Sequence, residues 1–319
     1  MKRINSYLTV CLLIFLSCSC IKQEPLNPEL TALEKQFNVE VVEGRLIFKD
    51  KESFDKAIDY IQQSSANLEI FNSTYKDFCS SYSAFERISD EFFQREQNGE
   101  KNDFEKVKNV GALVKHGDDL YFEHIVPVDA LSSIFNEDGI VQIADSIYKF
   151  TQEYTIQGHV NHLQEILNID SSSKNENFTF HKNIVENIEV DGIKNNEKCR
   201  VDYNSRYRRL RGGAWTVRLH LYNSVYISST NLRRPCRGRL CPWFRRATDY
   251  IEVSATGTWH YPGFPENSFD FSKNGTNTAR VSKNLDFTVN ANLYPEIKTF
   301  EGYHMLEWGE TTVQCNSNL

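Results

Sequence analysis

Hydrophobic residues in the C-terminal third of the sequence recur at every second position. Around Trp215 the apolar side chains alternate with polar or charged ones over eight residues, which is the period of a β-strand. The apolar positions here are Trp215, Val217, Leu219 and Leu221. Similar segments cover 224–232, 250–259 and 285–293, with turn-forming Gly, Pro and Asn residues between them. This pattern predicts an all-β, sandwich-like domain over residues 197–319.

The N-terminal half mixes two periods. Residues 39–48 alternate about a Glu43-Gly44 turn and predict a hairpin. Apolar residues at helical spacing then predict two amphipathic helices, one following Asp50 or Ser53 as its cap and one over 75–94.

Further along the N-terminal half, helix and strand signals continue to alternate. A third helix is expected over 104–114 and a strand over 120–126. Residues 130–150 predict a short helix, an Asp-Gly turn and two strands. The fold class expected for this half is therefore α+β.

A polar, Ser- and Asn-rich run at 170–177 indicates where the chain divides. We expect a signal peptide over 1–19, a tether over 20–30, an α+β domain over 31–170, a linker over 171–196 and the β-sandwich domain over 197–319.

The first twenty residues predict export. Lys2 and Arg3 precede a short apolar run, residues 7–16, which is the anatomy of a signal peptide and too short to span a bilayer. The run ends at Cys18 and Cys20, and this arrangement resembles the lipobox of bacterial lipoproteins, in which a cysteine is acylated and becomes the mature N-terminus. The resemblance implies lipidation at Cys20, or at Cys18, and an outer-membrane anchor facing the periplasm or the cell surface. An ordinary secretory signal is the alternative.

Residues 1–155 as a whole resemble uncharacterised lipoproteins of Bacteroidota. The resemblance lies in the lipobox, in the strand Gly44-Arg45-Leu46-Ile47-Phe48 that leads into a helix, and in the run 143–149 after the Asp-Gly turn. That family implies a lineage and a lipid anchor, and it carries no activity or catalytic residues to this chain.

Cysteine usage agrees with export. Outside the signal region five cysteines remain, and four of them lie in the last third of the chain: Cys199, Cys236, Cys241 and Cys315. In an oxidising compartment such a set predicts two disulfides, and we favour Cys236–Cys241 with Cys199–Cys315 among the three possible connectivities. A Cys₄ zinc site is the alternative, although its usual short Cys-x₂-Cys spacing is absent. We expect Cys79 to be a buried thiol.

Charge is distributed unevenly along the sequence. The segment 198–246 holds 13 basic residues and one acid, Asp202, in a chain whose formal net charge is −7. Arg forks suit bidentate contacts with carboxylate, sulfate or phosphate. The predicted function is therefore non-catalytic binding or adhesion at the cell envelope, with a polyanionic glycan as ligand. The contact candidates are Arg208, Arg209, Arg211, Arg233, Arg234, Arg237, Arg239, Trp215, Trp243 and Phe244.

An alternative explanation of the arginines is that they pair with the acidic N-terminal half. Nucleic acid is not an expected partner, because no nucleic-acid module is recognised and the compartment does not favour it.

No catalytic motif emerges from the sequence. Gly-x-Ser-x-Gly and Gly-rich phosphate loops are absent, and the pair His159 and His162 lacks the glutamate of a zinc peptidase motif. We therefore expect no cofactor, no metal and no enzyme activity. A hydrolase built on paired carboxylates, such as Asp118 with Asp119 or Glu301 with Glu307 or Glu310, and a structural subunit of a surface assembly remain the alternatives.

Overall fold

The structure is a computed structural model that describes residues 36–75, 77–169, 175–187, 199–205, 207–236, 240–288 and 293–318. The predicted signal peptide and tether, Cys18, Cys20, Arg237 and Arg239 lie outside the described residues.

The described chain is mostly β-strand, with few helices. The helices are α1 (Lys51–Gln63), α2 (Ser65–Thr74), α3 (Ser81–Gln97), α4 (Asp129–Ser132) and α5 (Leu163–Asn168), with 3₁₀ turns at Phe104–Val107 and Val160–His162. The strands are β1 (Val39–Val42), β2 (Arg45–Phe48), β3 (Gly111–His116), β4 (Asp119–His124), β5 (Ile140–Ile143), β6 (Ser146–Phe150), β7 (Tyr154–His159), β8 (Phe178–Lys182), β9 (Ile184–Asn187), β10 (Arg200–Tyr203), β11 (Arg208–Leu219), β12 (Tyr222–Arg233), β13 (Phe244–Arg245), β14 (Thr248–His260), β15 (Asn267–Thr278), β16 (Arg280–Thr288), β17 (Glu296–Trp308) and β18 (Thr311–Asn318). Within these ranges no helix combines the length and the hydrophobicity that crossing a bilayer requires.

The N-terminal strands form one sheet in the order β1-β2-β5-β6-β7-β8. Its pairs are antiparallel except β2 with β5, which run parallel and are separated in sequence by four helices and the β3–β4 hairpin. The Asp50 side chain accepts the N–H of Ser53 and caps α1, as the sequence predicted. Helix α1 then buries Phe54, Ala57, Ile58 and Ile61 against the sheet and its neighbours.

The C-terminal strands form two further sheets. A central sheet has the order β10-β11-β12-β13, with β9 paired to β11 and β16 paired to β12. An outer sheet has the order β15-β14-β17-β18. One apolar cluster fills the space between them, with Leu210, Val225 and Ile227 from the central sheet and Ile251 and Leu306 from the outer sheet. This half is therefore β-rich and sandwich-like.

Both faces of the central sheet are buried. Along β11, Leu210 and Ala214 belong to the cluster shared with the outer sheet, whereas Val217 and Leu219 belong to the cluster that contains α1 and β2. Because side chains alternate along a strand, one strand supplies two cores. The largest apolar cluster thus takes residues from both sides of the predicted division at 171–196.

The structure differs from the sequence predictions in three segments. The helix predicted over 104–114 is one 3₁₀ turn followed by β3. β3 pairs with β4, and at Gly111 an added Cβ would lie 2.5 Å from Phe122 Cζ, so the buried Phe122 ring packs closely on this glycine. The helix predicted over 75–94 begins at Ser81, since the Ser80 side chain caps it, and α2 precedes it. The predicted linker contains β8 and β9.

Both predicted disulfides, Cys199–Cys315 and Cys236–Cys241, are present in the structure. The first joins residues 116 positions apart and links the strand β18 to the start of β10. Cys79, predicted to be buried, is half-buried and takes part in neither disulfide.

Candidate functional site: an arginine-lined cleft

Asp119 is the centre of an ion-pair cluster that holds three of the arginines. Its carboxylate lies 2.5 Å from Arg200 and 2.8 Å from Arg209, and it also pairs with Arg234. Burial alone would raise the pKa of Asp119, but the hydrogen bonds from Arg209 and Arg234 lower it to about 2. The cluster joins β4 to the central sheet, and Asp119 stays ionised across the physiological range.

Arg209 is an internal residue. Its side chain pairs with Asp202 as well as Asp119, donates to the Tyr121 hydroxyl at 2.5 Å and lies over the Trp243 ring. Arg209 is 2% exposed and Trp243 is 0% exposed. The prediction that these two side chains form a ligand-binding surface is therefore corrected.

Phe244 requires the same correction, because it is 0% exposed. Its ring packs on Phe93 and Phe122, in the cluster that covers α3. The physical reason is shared by all three residues. The odd-numbered face of β11 and the segment 243–245 are covered by the β3–β4 hairpin and α3, and Asp119 of the hairpin supplies a charge opposite to that of Arg209.

The remaining predicted contact residues fall into two groups. Arg211 pairs with Glu123 at 2.6 Å and lies beside Trp215, which is half-buried. Arg208 lies on the Trp308 ring and Arg233 on the Phe93 ring, and within the described ranges neither forms an ion pair. Arg211 and Trp215 are thus the two predicted residues that reach a cleft.

The cleft lies between the β3–β4 hairpin and the central sheet and has a volume of about 360 Å³. The hairpin is fixed to the sheet through the backbone of Trp243. The backbone N–H of Trp243 donates to Leu120 O at 2.8 Å, and its carbonyl accepts the backbone N–H of Phe122 at 2.9 Å. The floor is an aromatic pair, Trp215 and Tyr226, with ring centroids 5.4 Å apart and planes 13° from parallel.

Three guanidinium groups surround this aromatic pair. They belong to Arg211, Arg245 and Arg280. Arg245, Arg280 and Tyr226 also line a larger cavity of about 660 Å³, which extends toward α2, α3 and the turn between β15 and β16. These three residues therefore form a wall common to two adjoining spaces.

The charges of the cleft are partly balanced. Asp129 Oδ1 lies 3.3 Å from Arg280 and 3.6 Å from Arg245. Glu123 forms an ion pair with Arg211 and lies 3.4 Å from His116. Three guanidinium groups thus meet two carboxylates, which leaves one positive charge in excess among these five groups.

Neighbouring charges fix the protonation states of both carboxylates. Burial would raise the pKa of Glu123, but His116 and Arg211 lower it to about 2. Burial acts in the same direction on Asp129, and Arg280 and Arg245 outweigh it and lower its pKa. Neither group is suited to donate a proton at neutral pH.

Arg280 has unused hydrogen-bonding capacity. Its Nη1 donates to Pro127 O at 3.2 Å and to Asp129, whereas its Nε is buried without a hydrogen-bond partner. The side chain is 8% exposed. A buried guanidinium with an unsatisfied N–H beside a cavity is the kind of group that a bound anion or a water molecule satisfies.

The carboxylate pairs suggested for hydrolysis are not supported. Glu301 and Glu307 lie six residues apart on the single strand β17, which separates them by roughly 20 Å in an extended chain. Glycoside hydrolysis uses carboxyl groups about 5–10 Å apart. Asp119 is held by its arginines, which lower its pKa to about 2, so it is not suited to act as the proton donor of a pair with Asp118.

The two candidate metal ligands have other contacts. His159 Nδ1 accepts the Asn161 N–H, and His162 Nδ1 lies 2.9 Å from Glu165. Among the residues that the structure describes, no three His, Cys, Asp or Glu side chains are grouped as metal ligands are.

Several cleft residues were not predicted. Arg280 and Asp129 lie outside the arginine-rich segment, and nothing in the sequence places them near it. For Tyr226 the sequence contained a weak indication. Strand alternation places its even-numbered position on the same face of β12 as Ser228 and Leu232, which also line the cleft.

Comparisons with known proteins add one finding. No protein-family model matches the sequence, and no curated protein matches it either. Among solved structures, the chain is similar to a DUF4848 family protein from Bacteroides thetaiotaomicron VPI-5482, with 13% sequence identity and a TM-score of 0.29 over 88% of this chain and 100% of that one.

Proposed function

We propose that this protein is a lipid-anchored, non-catalytic binding protein of the outer membrane, facing the periplasm or the surface, and that its ligand is an acidic saccharide held in the arginine-lined cleft. The proposal keeps the glycan expected from the sequence and moves it from the arginine-rich surface to the cleft. The anchor rests on the lipobox at Cys18 and Cys20.

The observation that carries the proposal is the position of the Trp215–Tyr226 pair beside Arg245 and Arg280. An aromatic face packs against the C–H groups of a sugar ring, and a guanidinium fork pairs with a carboxylate on the same ring. The volume of about 360 Å³ falls in the usual range for ligand sites. One excess positive charge suits a ligand unit with one negative charge.

The test is a binding screen of the purified chain, residues 21–319, against uronic-acid oligosaccharides and their neutral counterparts at low and high salt. We expect binding of the acidic set that weakens as salt increases, and loss of most of that binding in Trp215→Ala and Arg245→Gln. Arg200→Gln is the matched control, because Arg200 is an exposed arginine of the Asp119 cluster outside the cleft. Equal binding of acidic and neutral sugars, or an unchanged affinity in Trp215→Ala, would reject the proposal.

One observation favours a hydrolase as second candidate. Glu86 and Asp129 line the same 660 Å³ cavity, and burial raises the pKa of Glu86 whereas the arginines lower that of Asp129. Paired carboxyl groups with opposed pKa shifts are the usual acid and base of glycosidases. Release of reducing ends from envelope polysaccharide by the wild type, and its loss in Glu86→Gln, would favour this candidate over simple binding.

A further inference from the structure

Arg208 and Arg233 lie directly opposite each other on the neighbouring strands β11 and β12. Side chains at such positions have their Cβ atoms about 5 Å apart, and like charges placed there destabilise a sheet. Arg200 and Arg211 also lie opposite each other, on β10 and β11, but each of them pairs with an acid, Asp119 and Glu123 respectively.

No carboxylate compensates this pair within the described part of the chain. Arg208 lies 3.9 Å from the centroid of Trp308, and Arg233 lies 5.0 Å from that of Phe93. These aromatic faces attract a cation without neutralising it, and the Tyr203 hydroxyl, which also hydrogen-bonds with Arg208, carries no charge that would do so.

Arg208 is also largely removed from water. Arg208 is 7% exposed, and its Nη1 is buried without a hydrogen-bond partner. Burial, followed by the charge of Arg208, lowers the pKa of Arg233. Two arginines at opposed positions of neighbouring strands, one of them buried with an unused N–H, form an arrangement that an anion would stabilise.

We infer that Arg208 and Arg233 form a second anion-binding site, which takes a sulfate, phosphate or carboxylate group at the end of the sandwich. Arg233 is partly exposed and gives the anion access, while Arg208 provides the buried N–H. The site shares no residue with the cleft, and the inference does not depend on the proposed function.

If the site exists, removing the charge of Arg233 should not lower the thermal stability of the protein in the absence of a bound anion. Arg233→Met keeps an apolar stem that can pack on Phe93 and removes the repulsion from Arg208. Thermal unfolding in sodium chloride should therefore give a midpoint for Arg233→Met no lower than that of the wild type. In sodium sulfate at the same ionic strength, both midpoints should rise because sulfate stabilises folded proteins generally, but that of the wild type should rise by about 2–4 °C more than that of Arg233→Met.

Two controls separate this site from other anion effects. Arg200→Met, which removes an exposed and paired arginine, should keep the sulfate response, and so should Trp215→Ala in the cleft. Equilibrium dialysis with labelled sulfate supplies the second readout, with one sulfate lost per chain in Arg233→Met. An equal sulfate response in wild type and Arg233→Met would overturn the inference. So would a midpoint of Arg233→Met several degrees below the wild type in chloride, since Arg233 would then be a stabilising structural residue.

Discussion

The guanidinium carbon of Arg209 lies 4.1 Å from the centroid of the Trp243 ring, and both side chains are buried. Two residues that look like an exposed contact surface in the sequence are thus part of the interior. Arg209 is tolerated there because Asp119 and Asp202 pair with it and the Trp243 ring covers it. Several arginines of the basic segment therefore pair with acidic residues within the fold.

Asp119→Asn should destabilise the protein by about 3 kcal/mol. The change removes the negative charge that compensates Arg200, Arg209 and Arg234, and Arg209 cannot move into water to recover its hydration. Chemical denaturation monitored by tryptophan fluorescence measures the loss. Asp103→Asn is the control, because Asp103 forms only an exposed pair with Lys106 and should cost less than about 0.5 kcal/mol. Equal effects of the two changes would mean that the Asp119 cluster contributes nothing to stability.

Gly212→Ala should cost about 1–3 kcal/mol through overpacking. An added Cβ would lie 2.3 Å from Cγ of His304, whose ring is fixed by hydrogen bonds to Ser229 and Ser317. In a His304→Ala background the same change should cost much less, since the ring that it meets is gone. Additive effects in this double-mutant cycle would contradict the packing described here.

Stability should fall as the pH decreases from about 6.5 to 4. Burial lowers the pKa of His124 and His304 to about 4, so the unfolded chain binds protons in this window and the folded chain does not. Each of these two histidines removes about 1.4 kcal/mol per pH unit within the window. The free energy of unfolding measured in urea at pH 7, 6 and 5 checks the slope. A flat profile between pH 7 and 5 would show that these imidazoles are solvated or charged in the folded state.

The two disulfides should differ in their contribution. Cys199–Cys315 closes a loop of 116 residues and Cys236–Cys241 one of 5, which corresponds to about 5 and about 2 kcal/mol of chain entropy. Replacing both cysteines of each pair by Ser and measuring the thermal midpoint tests this order. A larger loss from the Cys236–Cys241 pair would show that its short loop supports contacts beyond the entropy of closure.

Local patterns in the sequence predicted much of the secondary structure. The Glu43-Gly44 turn, the Asp50 cap and the alternation around Trp215 depend on neighbouring residues, and the structure has the corresponding hairpin, helix and strand. The cysteine count likewise led to both disulfides. The helix prediction for 104–114 was wrong because the few apolar residues there fit either the helical or the strand period. Pairing with β4 decides the conformation of this segment.

The candidate site was less predictable, because it depends on contacts between distant parts of the chain. Arg209 and Asp119 are 90 residues apart, and Arg280 and Asp129 are 151 apart. When exposure is predicted from the alternation of hydrophobic and polar residues, a buried arginine that pairs with an acid counts as a polar, exposed position. The alternation therefore cannot show that both faces of β11 are buried.

The most direct test of the proposed acidic-saccharide site is a calorimetric titration with a uronic-acid oligosaccharide and with the same oligosaccharide after reduction of its carboxyl groups. We expect the acid form to bind to one site per chain and the reduced form to bind at least tenfold more weakly. Identical heats for the two forms, or no heat from the acid form at low salt, would contradict the proposal.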